Sequence, residues 1–241
     1  MRWIKHACLI AAFTAIAGAA TAAPRYVLEL FTSQGCSSCP PADKLLAQLA
    51  EDSELLVLSL PVDYWDRLGW RDTFAKHAFT ERQYAYARIR GDGQVYTPQV
   101  VVNGSEHANG ANRRAIDASA ETTTPPRLAV TAKRAGEEIQ VDVGATGNGS
   151  PRATVVLLPY FGSRAVAIGR GENAHTKIAY TNVVREVIPL GEWSGAASSF
   201  KAKLPSDAGY DGVVVLVQEG TPENPGAILG AAKLPLRGPH A

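Results

Sequence analysis

Tyr26-Val27-Leu28-Glu29-Leu30-Phe31-Thr32-Ser33-Gln34-Gly35-Cys36-Ser37-Ser38-Cys39-Pro40-Pro41-Ala42-Asp43 is the stretch whose reading decides the fold. Its first six residues are dense in β-formers and read as a buried strand. Behind Asp43, Leu45, Leu46 and Leu49 recur at helical spacing, so a helix follows. Two cysteines three positions apart at a strand-to-helix turn can close a small disulfide ring. They can also lie where backbone N–H groups and the helix dipole favour a thiolate. Three uses stay open at this point: redox chemistry, metal binding and a plain staple. Haem attachment needs His directly after the second Cys, and Pro40 stands there. A structural zinc site needs four ligands, and no second Cys pair supplies them. A thiolate–imidazole copper site could draw on His77, His107 or His175, but after residue 1 there is no methionine to add a soft thioether. The strand–turn–helix context favours redox.

The chain of 241 residues opens with Arg2 and Lys5, an apolar run from Ala7 to Ala20, and Thr21-Ala22-Ala23-Pro24. A basic start, a short apolar core and small residues before a break predict a secretory signal peptide over 1–23. The run is too short to span a bilayer comfortably. Cleavage would remove Cys8 and leave Cys36 and Cys39 as the only thiols, an even count that suits an oxidising compartment, periplasmic or secreted. It would also remove two of the 24 basic residues against 23 acidic ones, so the charge balance favours neither nucleic acid nor an anionic membrane as partner. No later segment is apolar enough for a membrane span.

Leu55–Leu60 reads as a strand covered on both faces. An aromatic stretch, Val62–Trp70, leads into a helical region from Asp72 to Arg90. There Thr80 and Gln83 fit a capping box, so two helices meeting near Thr80 are as well supported as one. Val95–Val102 enters a hairpin at Asn103-Gly104, and a short helix runs from about Asn112 to Ala120. Thr122-Thr123-Thr124-Pro125-Pro126 is stiff and polar, the best boundary in the chain. Beyond it, short alternating strands are expected at 128–133, 139–143, 153–159, 164–168, 178–188, 199–204, 213–218 and 228–234. The expected architecture is therefore an α/β domain over 24–121 followed by an all-β sandwich-like domain over 127–241.

Several stretches together resemble a known family: Glu29–Asp43, Val62-Asp63-Tyr64-Trp65, Leu68-Gly69-Trp70, Thr97-Pro98-Gln99, Asn182-Val183-Val184-Arg185 and Ile228-Leu229-Gly230-Ala231-Ala232. The family is that of exported thioredoxin-like proteins catalogued as domain of unknown function 1223. The resemblance implies a thioredoxin-like first domain and a thiol–disulfide oxidoreductase acting on client protein or peptide thiols and disulfides, with an unidentified redox partner and no cofactor. It implies that Cys36 is the exposed attacking thiol and Cys39 the buried resolving one. It further implies that Pro98 is a cis-proline facing the dithiol and presenting Thr97 to an extended substrate. Pro40 and Pro41 lack N–H groups, so the regular helix is expected to begin nearer Ser38, and the Cys36 thiolate is expected to be only modestly favoured.

Glu29 lies in an apolar strand, where a carboxylate must be paired or protonated. Thioredoxin relays protons through a buried carboxylate one residue nearer the first Cys, so Glu29 is the candidate relay, with a solvated or salt-bridged strand residue as the plainer role. Tyr64, Trp65 and Trp70 are candidates for an aromatic wall that grips a peptide, with core packing as the plainer role. A non-catalytic binding module, or a metallochaperone using the Cys pair as ligands, is the alternative function.

Overall fold

A computed structural model describes residues 23–146, 151–204 and 209–237. The expected signal segment lies, apart from Ala23, outside the described residues. Strand β1 (Tyr26–Thr32) leads through the Cys36 turn into helix α1 (Pro40–Leu49), and β2 (Leu55–Pro61) follows. After a short 3-10 turn at Asp66–Leu68 come α2 (His77–Arg90), β3 (Gln99–Val102), β4 (Glu106–Asn109) and α3 (Arg113–Thr122). The remainder is all strand: β5 (Val130–Ala135), β6 (Glu138–Val143), β7 (Ala153–Ala167), β8 (Lys177–Val184), β9 (Ile188–Trp193), β10 (Ser198–Lys203), β11 (Gly212–Thr221) and β12 (Asn224–Pro235).

The expected fold class, an α/β thioredoxin-like domain followed by a separate β-sandwich, is overturned by the sheet topology. Among the described residues, nine of the strands form one mixed sheet, in the order β12-β11-β7-β8-β2-β1-β3-β4 with β9 on β7. Strands on either side of Thr122–Pro126 therefore belong to the same sheet. The junction is β8 lying parallel to β2, with Ser59 opposite Val183, where Ser59 Oγ donates to Thr181 O at 2.8 Å and Asn182 Nδ2 donates to Val57 O at 2.9 Å. The remaining sheet, β10-β6-β5, is a small lid rather than half of an independent sandwich.

Both faces of the large sheet are covered, which explains the near-continuous apolar runs in β1, β2 and β11. Val27, Phe31, Leu56, Leu58 and Leu60 face α2, packing with Phe79 and Tyr86. Leu28, Leu30 and Val57 face the opposite way, against Leu46 of α1 and Ile116 of α3. Further along that second face, Val155, Val215 and Trp193 pack against Val141 and Val143 of the small sheet.

Local chemistry sets the helix ends. Helix α1 begins at Pro40, later than expected, with Cys39 at its N-cap and the two prolines in its first turn. First-turn N–H groups have no intrahelical acceptor, so proline there forfeits nothing. Helix α2 is continuous, since Thr80 does not cap it: its Oγ1 donates to Asp63 Oδ1 at 2.6 Å. Asn103 and Gly104 turn β3 into β4 with φ of 47° and 74°, the left-handed pair a tight hairpin requires. The segment after α3 is pinned rather than loose, because Asn103 Nδ2 donates to Thr123 Oγ1 and Thr124 O.

Candidate functional site

Cys36 and Cys39 form a disulfide, with their Cα atoms 5.4 Å apart. The turn that carries it is tied down at each step. Cys36 N donates to Ser33 O and Cys39 N to Cys36 O, both at 3.2 Å. Gln34 N donates to Asp72 Oδ2 at 2.8 Å, and Gln34 Oε1 accepts from Trp70 Nε1 at 2.8 Å. The aromatic stretch therefore braces the cysteine turn from below. Trp65 Nε1 donates to Thr97 Oγ1 at 2.8 Å, and the Thr97–Pro98 bond is cis. Ser38 Oγ bridges the two halves, lying 3.4 Å from Cys36 Sγ and 3.4 Å from Thr97 O. Thr97, Pro98, Trp65 and Trp70 thus gather around the cysteine turn. Tyr64 also reaches the Thr97 side chain, with its hydroxyl donating to Gln83 Oε1, and burial pushes that phenol up to about 12.

Exposure departs from expectation. Cys36 is 0% exposed, as is Cys39, while Ser37 and Ser38 between them are open. The tip of the β7–β8 hairpin, a segment that reads in the sequence as an ordinary turn, bonds to the backbone of the Cys36 turn. Asn173 Nδ2 donates to Gln34 O at 3.0 Å and to Cys36 O at 2.9 Å.

Glu29 is not beside the cysteines. It follows Val27 and precedes Phe31 on the α2 side of β1, whereas α1 packs on the Leu28 and Leu30 side. There it is fully buried and held by Arg82, with Nε to Oε1 at 2.8 Å and Nη2 to Oε2 at 3.1 Å. Tyr86 donates its hydroxyl to Glu29 Oε2, and Gln218 closes the ring by accepting from Arg82 and donating to Tyr86, each at 2.8 Å. Burial alone would depress the Arg82 guanidinium; the Glu29 carboxylate and Tyr86 together more than offset that and keep it charged. This is a satisfied structural network.

The buried acid next to the cysteine turn is Asp43. It sits one turn past Cys39 on α1, and its backbone N–H donates to Cys39 O at 3.1 Å. It is 1% exposed; Thr32 Oγ1 donates to Oδ1 at 2.9 Å, while Oδ2 has no partner. Burial raises its pKa well above the usual carboxylate range, and the nearby Asp72 adds to the rise. Burial likewise pushes Asp72 up to about 6. Tyr180 of β8 completes the cluster, a buried phenol with an unpartnered hydroxyl whose pKa is raised by burial, Asp43 and Asp72. Residues four apart share a helix face, so the Cys39–Asp43 spacing was the signal available in the sequence.

The three histidines named as metal candidates are spread out. His77 pairs with Asp63, and His107 lies between Tyr96 and Asp92. His175, exposed at φ 65°, sits on the β7–β8 tip. Among the described residues, no three of His, Cys, Asp and Glu are grouped to hold a metal ion, and no helix is long and apolar enough to cross a membrane.

The family model described as "Protein of unknown function (DUF1223)" matches residues 27–218. The chain belongs to the DUF1223 family. It is similar to the crystal structure of protein AGR_C_4864 from Agrobacterium tumefaciens, at 36% identity and a TM-score of 0.77, over 91% of this chain and 97% of that one. No curated protein matches it. The DUF1223 match begins on β1 and ends at Gln218, so it takes in the disulfide, the acid cluster and the Glu29–Arg82–Gln218 network alike.

Proposed function

We propose that this DUF1223 protein exchanges its Cys36–Cys39 disulfide with thiols of a client protein or peptide. The observation that carries the reading is Asp43, a buried carboxyl with one unpartnered oxygen, one helical turn beyond Cys39. A staple has no use for such a group, whereas a leaving thiolate needs a proton. In the direction that starts from the disulfide, a client thiolate attacks Cys36 Sγ. The S–S bond breaks, its electron pair goes to Cys39, and the neutral Asp43 carboxyl protonates that sulfur. A second client thiolate then displaces Cys36, which takes a proton from solvent as Asp43 is reprotonated. The client gains a disulfide, and the pair here becomes two thiols. The reverse sequence reduces a client disulfide. Thr97 and Trp65, joined by a hydrogen bond beside the turn, supply a backbone edge and an aromatic face for an extended client segment. The arrangement resembles thioredoxin-like dithiol sites in its parts, and the basic, apolar and small-residue order of 1–23 supports export to an oxidising compartment.

The inert-staple reading draws on the burial of both sulfurs. Cys39→Ala separates the two. Exchange predicts that Cys36 in this variant accumulates mixed disulfides with clients, released by reductant and seen as mass-shifted bands. A preparation that traps nothing, beside an oxidoreductase control that does, removes the exchange function.

A further inference from the structure

The β7–β8 tip is anchored to the disulfide turn by a built set of contacts. Gly171 at φ +78° and His175 at φ 65° shape the β7–β8 tip. Ile168 N donates to Thr176 O at 2.9 Å, and His175 N to Ile168 O at 2.8 Å, closing it on itself. Asn173 turns inward, 7% exposed, and spends both amide hydrogens on the carbonyls of Gln34 and Cys36. Glu172 Oε2 accepts from Ser37 N at 3.3 Å. Gly169 and Gly171 rest on Trp70, where a Cβ would approach the Trp70 side chain to 3.3 and 3.2 Å. None of these bonds involves sulfur. The tip can therefore leave without breaking the disulfide.

We propose that Gly169–Thr176 is a strap that shuts Cys36 Sγ away from solutes, and that it must lift from Trp70 and the Cys36 carbonyl before any thiol reaches the disulfide. Lifting uncovers the Trp70 ring beside the already open Ser38–Thr97 edge, so the site it opens suits an extended peptide segment bearing a thiol, not a globular surface. What finally enters rests on the exchange function; the strap itself does not.

The test uses dithiothreitol on the oxidised full-length protein, with alkylation and mass counting of free thiols over time. Its thiolate attacks Cys36 Sγ and the electron pair passes to Cys39. The second dithiothreitol sulfur then closes its own ring, leaving two protein thiols. The expected result is reduction at least tenfold faster in Asn173→Ala, which loses both anchors, and in Gly171→Ala, whose Cβ 3.2 Å from Trp70 at a left-handed φ strains the tip. Glu137→Gln, on the distant β5–β6 turn, reduces at the wild-type rate. Should Asn173→Ala fail to fold, Gly171→Ala carries the comparison. Wild-type rates in a folded Gly171→Ala protein overturn the strap. Fast reduction with no client trapped by Cys39→Ala keeps the strap and removes the exchange function; unchanged reduction with clients trapped does the reverse.

Discussion

Glu29 and Asp43 are both carboxyls without solvent, and their neighbours give them opposite chemistry. Glu29 has Arg82, Tyr86 and Gln218 around it and serves as a fixed charge. Removing its counter-charge leaves a buried anion, so Arg82→Met should cost about 3–5 kcal/mol, read from urea unfolding. The double variant Glu29→Gln/Arg82→Met should recover part of the loss. Asp43 and Asp72 behave otherwise. The folded state holds their protons more tightly than the unfolded chain does, so their contribution to stability is greatest below about pH 4 and declines as pH rises. For Asp72 the decline ends near its folded value of about 6 and amounts to about 3 kcal/mol. Asp43→Asn should flatten the falling limb above pH 4 in a series of urea midpoints; a slope equal to wild type contradicts a neutral Asp43. The sequence made Glu29 conspicuous because a charge interrupts an apolar strand. It could not tell which face α1 would cover, and that one parity moves the acid from Glu29 to Asp43.

Among the elements, the turns with explicit chemistry were legible. Asn103-Gly104 makes the expected hairpin, and Asn112 caps α3 by accepting from Ala115 N at 3.2 Å. The Gly104 position tolerates nothing else. A Cβ there would sit 2.3 Å from Gly226 O, on top of the left-handed φ. Gly104→Ala should therefore lower stability by about 2–4 kcal/mol, seen as a drop in Tm. The expected strands at 153–159 and 164–168 prove to be one, β7, with Gly162 N donating to Asp211 Oδ2 at 2.8 Å in the middle of it. The expected strand over 178–188 divides instead, since β8 ends at Val184 and β9 begins at Ile188. Hydrophobic alternation marks where strands lie, but not where a ladder changes partner.

At the scale of the molecule, the missed feature is the β8–β2 junction. Parallel pairing between Ser59 and Val183, 124 positions apart, leaves no local trace, and Ser59 and Asn182 look like ordinary polar interruptions until each bonds a carbonyl of the opposite strand. One sheet means shared stability. The fragment 24–126 lacks β8 against β2, Gln218 against Arg82 and Asn173 against Cys36. It should show no cooperative thermal transition by circular dichroism, while the full chain melts in one step; a sharply melting fragment would contradict the single-sheet account.

The ring that Gln218 closes also sets a timetable. Any chain made from its amino end exposes Glu29 and Arg82 early, and at about 5–20 residues per second roughly seven to twenty-seven seconds pass between Arg82 and residue 218. Through that interval the two charges are best left in water. Packing of β1 against α2 is thus expected to be completed only when β11, almost the last strand, has been made.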